Sequence, residues 1–137
     1  MIELGMVKFE YTEDGRIFQL LDEFSGYQDP NRLIPQAITK LTSITDDMVK
    51  GQQINENEVA SYLKDVDIII AHNAQFDRTF FEITFPSIPP KAWGCSIYDI
   101  DWKIEGISSH KLEYIAYKYN FFYKGHRTVI DMYGSTR

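Results

Sequence analysis

The chain has 137 residues, 44% of them hydrophobic and 15% aromatic, which fits one compact domain with a substantial core. Its apolar runs are all far shorter than the ~18 residues that cross a membrane, and the first residues do not form a basic-then-apolar leader, so we expect a cytoplasmic protein that does not contact membranes. A formal net charge of −6 argues against broad electrostatic binding of nucleic acid, because that affinity comes from lysine and arginine. Carboxylates clustered around divalent cations would reverse this locally.

Two runs of strand-forming residues open the chain, at 2–11 and 16–24. Asp14 and Gly15 lie between them, and Asp-Gly is a strong signal for a tight turn. The sequence therefore predicts an antiparallel hairpin.

Three helices are predicted to follow the hairpin. Pro35 can occupy the first position of a helix over 35–44, and Thr45 can cap a short helical turn after it. Asn55 and Glu58 have the spacing of an N-cap and its return partner, which predicts the third helix. The apolar residues of that helix recur at helical spacing at Val59, Leu63 and Val66.

A strand and a helix meet sharply in the middle of the chain. Residues 67–72, "DIIIAH", have a continuous apolar run, which is typical of a buried parallel strand. Residues 73–85 then predict a helix that ends before Pro86. The apolar stripe predicted for this helix comprises Phe76, Phe80 and Ile83.

The remaining segments add a short strand and more helices. Residues 91–102 predict a short strand that leads into a helix capped at Ser96, and 109–120 and 125–134 predict two further helices. This order of elements indicates a mixed sheet covered by helices. The residues of 109–120 predicted to face inward are Leu112, Ile115, Ala116 and Tyr119.

Three polar residues, His72, Asn73 and Asp77, lie where the predicted central strand gives way to its helix. Functional groups gather outside the carboxyl ends of strands in open α/β sheets. Taken alone, each residue also has a purely structural explanation. Asp77 would be stabilised by the positive end of the helix dipole, Asn73 would be an N-cap, and His72 would be a hydrogen-bonded histidine at a strand end.

A second group of polar residues lies near the end of the chain, where His126 precedes Asp131 by five positions. Five residues subtend ~140° on a regular helix, so these side chains converge only if His126 lies on the loop before the helix. The structural alternative is a histidine at a helix N-terminus and a solvated aspartate paired with Arg127.

Together the two groups resemble a known family. "AHNAQFD", after a buried strand, and "GHRTVID", opening a late helix, are similar to the second and third motifs of the DnaQ-like 3'-5' exonucleases. These form the DEDDh group, which has a ribonuclease H-like fold and includes the epsilon proofreading subunit of DNA polymerase III. The segments "IPQAITKLTSITDDMVKGQQI" and "HKLEYIAYKYNF" are also similar, so the resemblance covers almost the whole chain.

The resemblance implies a two-metal site. In that family four carboxylates hold two divalent ions, Mg²⁺ or Mn²⁺, which bind the terminal phosphodiester, and a histidine is the general base toward the attacking water. Asp77 and Asp131 would be two of the metal ligands, and His126 would be the base, a role that suits the pKa of histidine. The residues expected to bind the terminal nucleotide are His72, Asn73 and Phe76.

The family's first motif is missing from this pattern. In the family, a strand carrying Asp-x-Glu precedes text similar to "IIELG", whereas Met1 lies inside that second strand. Two divalent ions ~4 Å apart repel by on the order of 16 kcal/mol, as an upper bound, at an effective dielectric constant of about 20. Two aspartates cannot offset this as four carboxylates can, so we predict weak metal binding and negligible hydrolysis.

The absent strand would be central in the family's sheet, and its loss should expose unpaired strand edges. The chain would then take a strand from a partner copy, rearrange, or be a fragment or misplaced start of a longer protein. The last is favoured, because "MIELG" is typical of the middle of a strand. The predicted fold is therefore a single α/β domain over residues 1–137, with a ribonuclease H-like mixed sheet, flanking helices and no first central strand.

Three functions are open at this point. The leading hypothesis is a metal-dependent exonuclease that acts on the 3' end of DNA or RNA, with catalysis impaired in this chain. The alternative is a noncatalytic module that binds nucleic acid or protein, and the third is a purely structural domain. Self-association and a place in a polymerase assembly are both compatible with the sequence.

Overall fold

A long antiparallel hairpin opens the structure, a computed structural model that describes residues 1–120. β1 covers Glu3–Tyr11 and β2 covers Ile17–Tyr27, with the register shifting twice along the pair. The turn closes where the Gly15 N–H donates to the Thr12 carbonyl over 2.8 Å, and Gly15 has a φ of +83°, which glycine adopts without strain. The hairpin predicted from Asp-Gly is confirmed.

Two short helices follow the hairpin, α1 over Gln36–Thr42 and α2 over Asp46–Val49. Pro35 is the N-cap of α1, one position before the predicted one. Thr45 caps α2 as predicted, because its side chain accepts the Met48 N–H. The core here is formed by Ile34, Ile44 and Val49, with Ile2 and Tyr27 packed against it.

The loop after β2 is held by Asp29. Its Oδ1 accepts the Asn31 N–H and its Oδ2 accepts the Gly51 N–H, both over 2.8 Å. These bonds, the Gly51 bond first, lower the pKa of Asp29 below its ordinary value. One carboxylate therefore joins the loop between β2 and α1 to the loop after α2.

Residues 55–120 contain a parallel pair of strands with three helices. α3 covers Glu56–Leu63, β3 Ile68–Ala71, α4 Ala74–Thr84, β4 Ala92–Cys95 and α5 Leu112–Lys118. Asn55 caps α3 as predicted, because its side chain accepts the N–H groups of Asn57 and Glu58. The strands pair in parallel from Ile68 with Ala92 to Ala71 with Cys95. The parallel pairing of the central strand is confirmed.

β3 is less buried than its continuous apolar run predicts. Ile68 and Ile70 are 38% and 49% exposed, so the prediction of a fully buried strand is wrong. The reason is that β3 and β4 form a sheet of only two strands within the described residues. The side chains of Ile68 and Ile70 lie beside Gly94 of β4, where they would be 3.4 and 3.5 Å from an added Cβ.

α4 buries a different face from the one predicted. Its buried residues are Ala74 and Phe81, whereas Phe76, Phe80 and Ile83 are 61%, 40% and 72% exposed. The Phe81 ring lies edge-on to Trp93 of β4, with centroids 5.8 Å apart. The helix predicted over 73–85 is therefore confirmed, but it turns the side with Phe81 toward β4 and not the side whose apolar spacing indicated the helix.

The helix predicted to start at Ser96 is also absent, since turns follow β4 within the described residues. Polar side chains bind the local backbone instead: Asp99 accepts the Cys95 N–H over 2.6 Å, and Asp101 accepts the N–H groups of Lys103 and Ile104. Such bonds compete with the helical ladder.

α5 forms where a helix was predicted, but it buries fewer of its residues than expected. Of its predicted inward residues, Ile115 is buried, Ala116 is half-buried, and Leu112 and Tyr119 are exposed. The helix predicted over 125–134 lies outside the described residues.

The architecture is mixed α/β, as predicted. The described strands form one antiparallel and one parallel two-stranded sheet. By their contacts the described residues fall into two compact units, 1–54 and 55–120, so the single domain stays a prediction. Across residues 1–120, every helix is too short or too polar to span a membrane.

Candidate functional site

The site lies at the joint between β3 and α4, and the backbone of Asn73 makes that joint sharp. Asn73 has φ +66° and ψ +51°, the left-handed conformation that asparagine tolerates better than most residues. It occupies the N-cap position of α4, yet its exposed side chain makes no capping hydrogen bond. Asn73 is therefore the N-cap of α4 by position, as the structural explanation expects, but without the side-chain hydrogen bond that usually accompanies such a cap.

His72 has hydrogen bonds at both ring nitrogens. Nδ1 lies 2.8 Å from the hydroxyl oxygen of Ser96, and Nε2 lies 2.7 Å from the carbonyl oxygen of His110. Burial of the half-buried ring lowers its pKa, which favours the neutral imidazole. The bond to the His110 carbonyl and the charge of Asp77 oppose that shift, and the charge of the His110 ring adds to it.

Asp77 lies in the first turn of α4. Although the residue as a whole is exposed, its carboxyl group lies against enough protein to lose part of its solvation, and this raises its pKa. Its own backbone N–H and the charge of His72 act in the opposite direction and are weaker. A partly desolvated carboxylate in this position, beside a helix N-terminus and a histidine, can act as a ligand of a cation.

Phe76 completes the exposed side of the joint. Its ring is 61% exposed and packs against Phe80, with centroids 4.8 Å apart and planes tilted by 60°. An exposed aromatic ring one residue from Asp77 is able to stack on a nucleobase.

The Cys95 thiol lies under the joint. Its Sγ accepts the Ala74 N–H over 3.4 Å, which brings the end of β4 to the start of α4. Desolvation raises the pKa of the thiol, but the N–H groups of Tyr98, Ala74, Ile97 and Asn73 together lower it below its ordinary value. The carboxyl ends of both parallel strands therefore meet at this edge.

The described residues alone do not fit a metal ion. Within residues 1–120, no three or more His, Cys, Asp or Glu side chains come together as a cluster able to hold one. Asp77 is the one predicted ligand that the structure describes, while His126 and Asp131 lie outside the described residues. The structure thus brings together His72, Asn73, Phe76 and Asp77, and a metal site would depend on further carboxylates.

Sequence patterns missed two partners of the site, Ser96 and His110. Ser96 directly follows the strand paired with β3, so its place could have been found from the parallel register. His110 contributes its backbone carbonyl, for which a sequence carries no signal.

Comparison with known proteins defines the class. The family model described as Exonuclease (RNase_T) matches residues 1–135, nearly the whole chain. The chain therefore belongs to this exonuclease family, as a DnaQ-like member. Nucleases of this family generally use divalent metal ions.

Relatives at higher identity are DNA polymerases. The chain is 40% identical over 84 residues, 60% of its length, to the PolC-type DNA polymerase III of Clostridium perfringens. It is 31% identical over 139 residues to that of Staphylococcus saprophyticus and 28% identical over 138 to that of Listeria welshimeri, each match covering 96% of the chain. The chain spans only 5% of the first protein and 9% of the other two.

A solved structure has the same fold. The structure of exonuclease X in complex with 5' overhanging duplex DNA superposes with a TM-score of 0.66, covering 97% of this chain and 76% of that one. At 19% identity this likeness concerns the fold alone, and it confirms the predicted ribonuclease H-like class.

Proposed function

We propose that this chain is a 3'-5' exonuclease-type domain that hydrolyses nucleic acid ends in a metal-dependent reaction, and that its hydrolysis is slow because the sequence offers only two of the four carboxylates that the family's motifs carry. The observation that carries the proposal is the family match over residues 1–135, combined with a partly desolvated Asp77 at the carboxyl edge of the parallel strands. In the proposed site Asp77 and Asp131 would hold Mg²⁺ or Mn²⁺, and such an ion would polarise the terminal phosphodiester. His126 takes the proton of the attacking water.

The exposed side chains at the joint bind the end of the substrate in this proposal. Asn73 offers an amide that makes no capping bond, and Phe76 offers an exposed ring for stacking on the terminal base. Both side chains are neutral, so they would contribute hydrogen bonding and stacking but no attraction for phosphate. In a chain with a net charge of −6, that attraction would come from the metal ions.

The relatives support an association with a polymerase. The proteins similar to this chain are PolC-type DNA polymerases, of which the matched region is less than a tenth. We therefore propose that the domain associates with a polymerase and that its substrate is the end of a DNA strand. A single strand presents its 3' end without any need for unpairing, so it is the simplest substrate to test.

A noncatalytic end-binding module is the second candidate. One observation favours it: among residues 1–120, Asp77 is not part of any cluster of three or more groups able to hold a metal ion. Such a module would hold a strand end through Asn73 and Phe76 without cleaving it.

The test uses a 5'-labelled single-stranded DNA, the full chain and Mn²⁺. Exonuclease action produces a ladder that shortens from the 3' end, and a 3'-phosphate on the same strand blocks it. Asp77→Asn and Asp131→Asn should each lower the rate by about 100-fold or more, since even the outer groups of metal sites are worth 10–100-fold. The matched control is Asp47→Asn, an exposed aspartate in the first turn of α2, which should leave the rate unchanged.

The same variants separate the two candidates. Binding of Mn²⁺ to the folded state should raise the Tm of the wild type and of Asp47→Asn but not that of Asp77→Asn. End binding without cleavage, weakened by Phe76→Ala, would favour the noncatalytic module. Cleavage that Asp77→Asn leaves intact would overturn the proposed site.

A further inference from the structure

We infer that His72 is a positioning residue that does not contact the nucleotide. Its imidazole holds Ser96, in the turn after β4, and His110, in the segment before α5, against the joint that carries Asp77. We call these two hydrogen bonds the clasp. The effect of this clasp on catalysis rests on the proposed function. The clasp itself does not, because every group in it belongs to the described residues.

Hydrogen-bond chemistry assigns the protonation of the ring. A carbonyl oxygen can only accept, so the contact of 2.7 Å between Nε2 and the His110 oxygen requires a proton on Nε2. In the neutral ring Nδ1 is then an acceptor, and the Ser96 hydroxyl 2.8 Å away donates to it. Both nitrogens are engaged within the protein, so neither is left to bind a nucleotide.

Ser96 is held from three directions, which makes it a fixed point for the ring. Its N–H donates to the Ala71 carbonyl over 3.1 Å and continues the pairing of the two parallel strands. Its carbonyl accepts the indole N–H of Trp102 over 2.7 Å, and its hydroxyl meets His72. The imidazole is therefore bonded to the sheet edge rather than to a mobile side chain.

The second bond of the ring reaches a distant part of the chain. His110 is 38 residues from His72 and directly precedes the N-cap of α5, Lys111. Between Ser96 and His110 the chain has turns only, anchored inside by buried Ile107. One imidazole thus closes both ends of this irregular segment against the start of α4.

The link from the clasp to Asp77 runs through His72 itself, because Asp77 lies five positions further along the chain, in the first turn of α4, and close enough for their charges to interact. A lost clasp would free the imidazole and let residues 96–111 move away from the joint, so we expect the surroundings of the carboxylate to change. Removal of His72 should therefore lower kcat and leave the affinity for a single strand nearly unchanged, whereas loss of a nucleotide contact would weaken affinity.

The first experiment measures the ring of His72 by ¹⁵N NMR in the full chain, with neither metal nor nucleic acid present. We expect the Nε2–H tautomer, with a slowly exchanging Nε2 proton, in the wild type. Ser96→Ala should speed that exchange. The control is His110→Ala, which removes a side chain but keeps the carbonyl that accepts from Nε2, and should preserve the signal.

The second experiment is a double-mutant cycle on unfolding, with His72→Ala, Ser96→Ala and the double variant. We expect the double variant to lose clearly less stability than the sum of the single losses, because both remove the same bond. If His72→Ala does not fold, His72→Gln replaces it, since the glutamine amide can still donate toward the His110 carbonyl.

Activity distinguishes a failure of the clasp from a failure of the proposed function. In an active chain His72→Ala should lower kcat by about tenfold or more, with partial rescue in His72→Gln and with the Kd for single-stranded DNA unchanged. If the wild type is inactive but shows the Nε2–H tautomer of His72 and the coupling between His72 and Ser96, the nuclease proposal is contradicted and the clasp is supported. An Nδ1–H tautomer, additive losses, or a Kd raised by His72→Ala would each overturn the clasp.

Discussion

Asn73 is the residue at which backbone conformation and candidate function meet. Its left-handed φ of +66° turns the chain from β3 into α4 and leaves the side chain exposed beside His72 and Asp77. A bulky or β-branched residue would be strained at this position, so the sharpness of the joint depends on which residue occupies it.

Substitutions of Asn73 should separate its backbone role from its side-chain role. Asn73→Gly should change the free energy of unfolding by less than about 0.5 kcal/mol, because glycine adopts positive φ freely. Asn73→Ala should lower it by about 1 kcal/mol, because the Cβ is disfavoured there. Urea unfolding measures both.

Ser61 is the matched control for the prediction at Asn73. Ser61 is exposed within α3, so Ser61→Ala should be more stable than Ser61→Gly by about 1 kcal/mol. This is the reverse of the order expected at Asn73, where the glycine variant should be the more stable one. The same order at both positions would contradict the left-handed joint.

Asp29 makes the stability of residues 1–54 depend on pH. Its pKa is lowered in the folded state, so its ionised form stabilises the fold above the ordinary pKa near 3.8, and that stabilisation is lost as the pH falls through the folded-state value. Asp29→Asn should therefore reduce stability at pH 7, and its difference from the wild type should shrink as the pH falls below 3.8 through the lowered folded-state pKa.

Thermal unfolding at a series of pH values tests the role of Asp29. Asp47→Asn is the control, because Asp47 is exposed on α2 and should show no such loss at any pH in the series. A constant difference between wild type and Asp29→Asn across the acid range would contradict the role of the carboxylate.

At the scale of elements, α4 has apolar residues on two sides, and its packing decides which of the two sides is buried. Its sequence places aromatic residues on both sides, and helical spacing favours the stripe of Phe76, Phe80 and Ile83. The structure instead buries Phe81, whose ring contacts Phe85 and Trp93 with centroids 5.0 and 5.8 Å apart. The position of β4, remote in the sequence, makes that choice.

Truncation of the two sides of α4 should have unequal costs. Phe81→Ala should lower the free energy of unfolding by about 3–5 kcal/mol, as for a buried phenylalanine. Phe80→Ala, at a position 40% exposed, should lower it by less than about 1.5 kcal/mol. Denaturant unfolding measures both, and a larger cost at Phe80 would restore the stripe predicted from spacing.

Short-range chemistry explains why some elements were predicted correctly. The hairpin follows from Asp14-Gly15, and the caps of α2 and α3 follow from Thr45 and Asn55, because each signal acts within about four residues. The helix expected after Ser96 failed for the same kind of reason: Asp99 and Asp101 bind the nearby backbone and compete with the helix.

At the scale of the whole molecule, the family is evident from motif order, and the family model matches residues 1–135. The fold survives great sequence divergence, because the structure of exonuclease X superposes with a TM-score of 0.66 at 19% identity. The roles of His126 and Asp131 stay predictions, since both lie beyond the described residues.

The amino-acid sequence by itself determined most of the order of strands and helices, the turn of the hairpin, the caps of α2 and α3 and the exonuclease family, because these depend on neighbouring residues or on motifs read in order. Tertiary structure alone decided which side of α4 is buried and what His72 binds. Its partners Ser96 and His110 are 24 and 38 positions away, and His110 uses a carbonyl that every residue possesses. Contacts of that kind arise only when distant segments pack together.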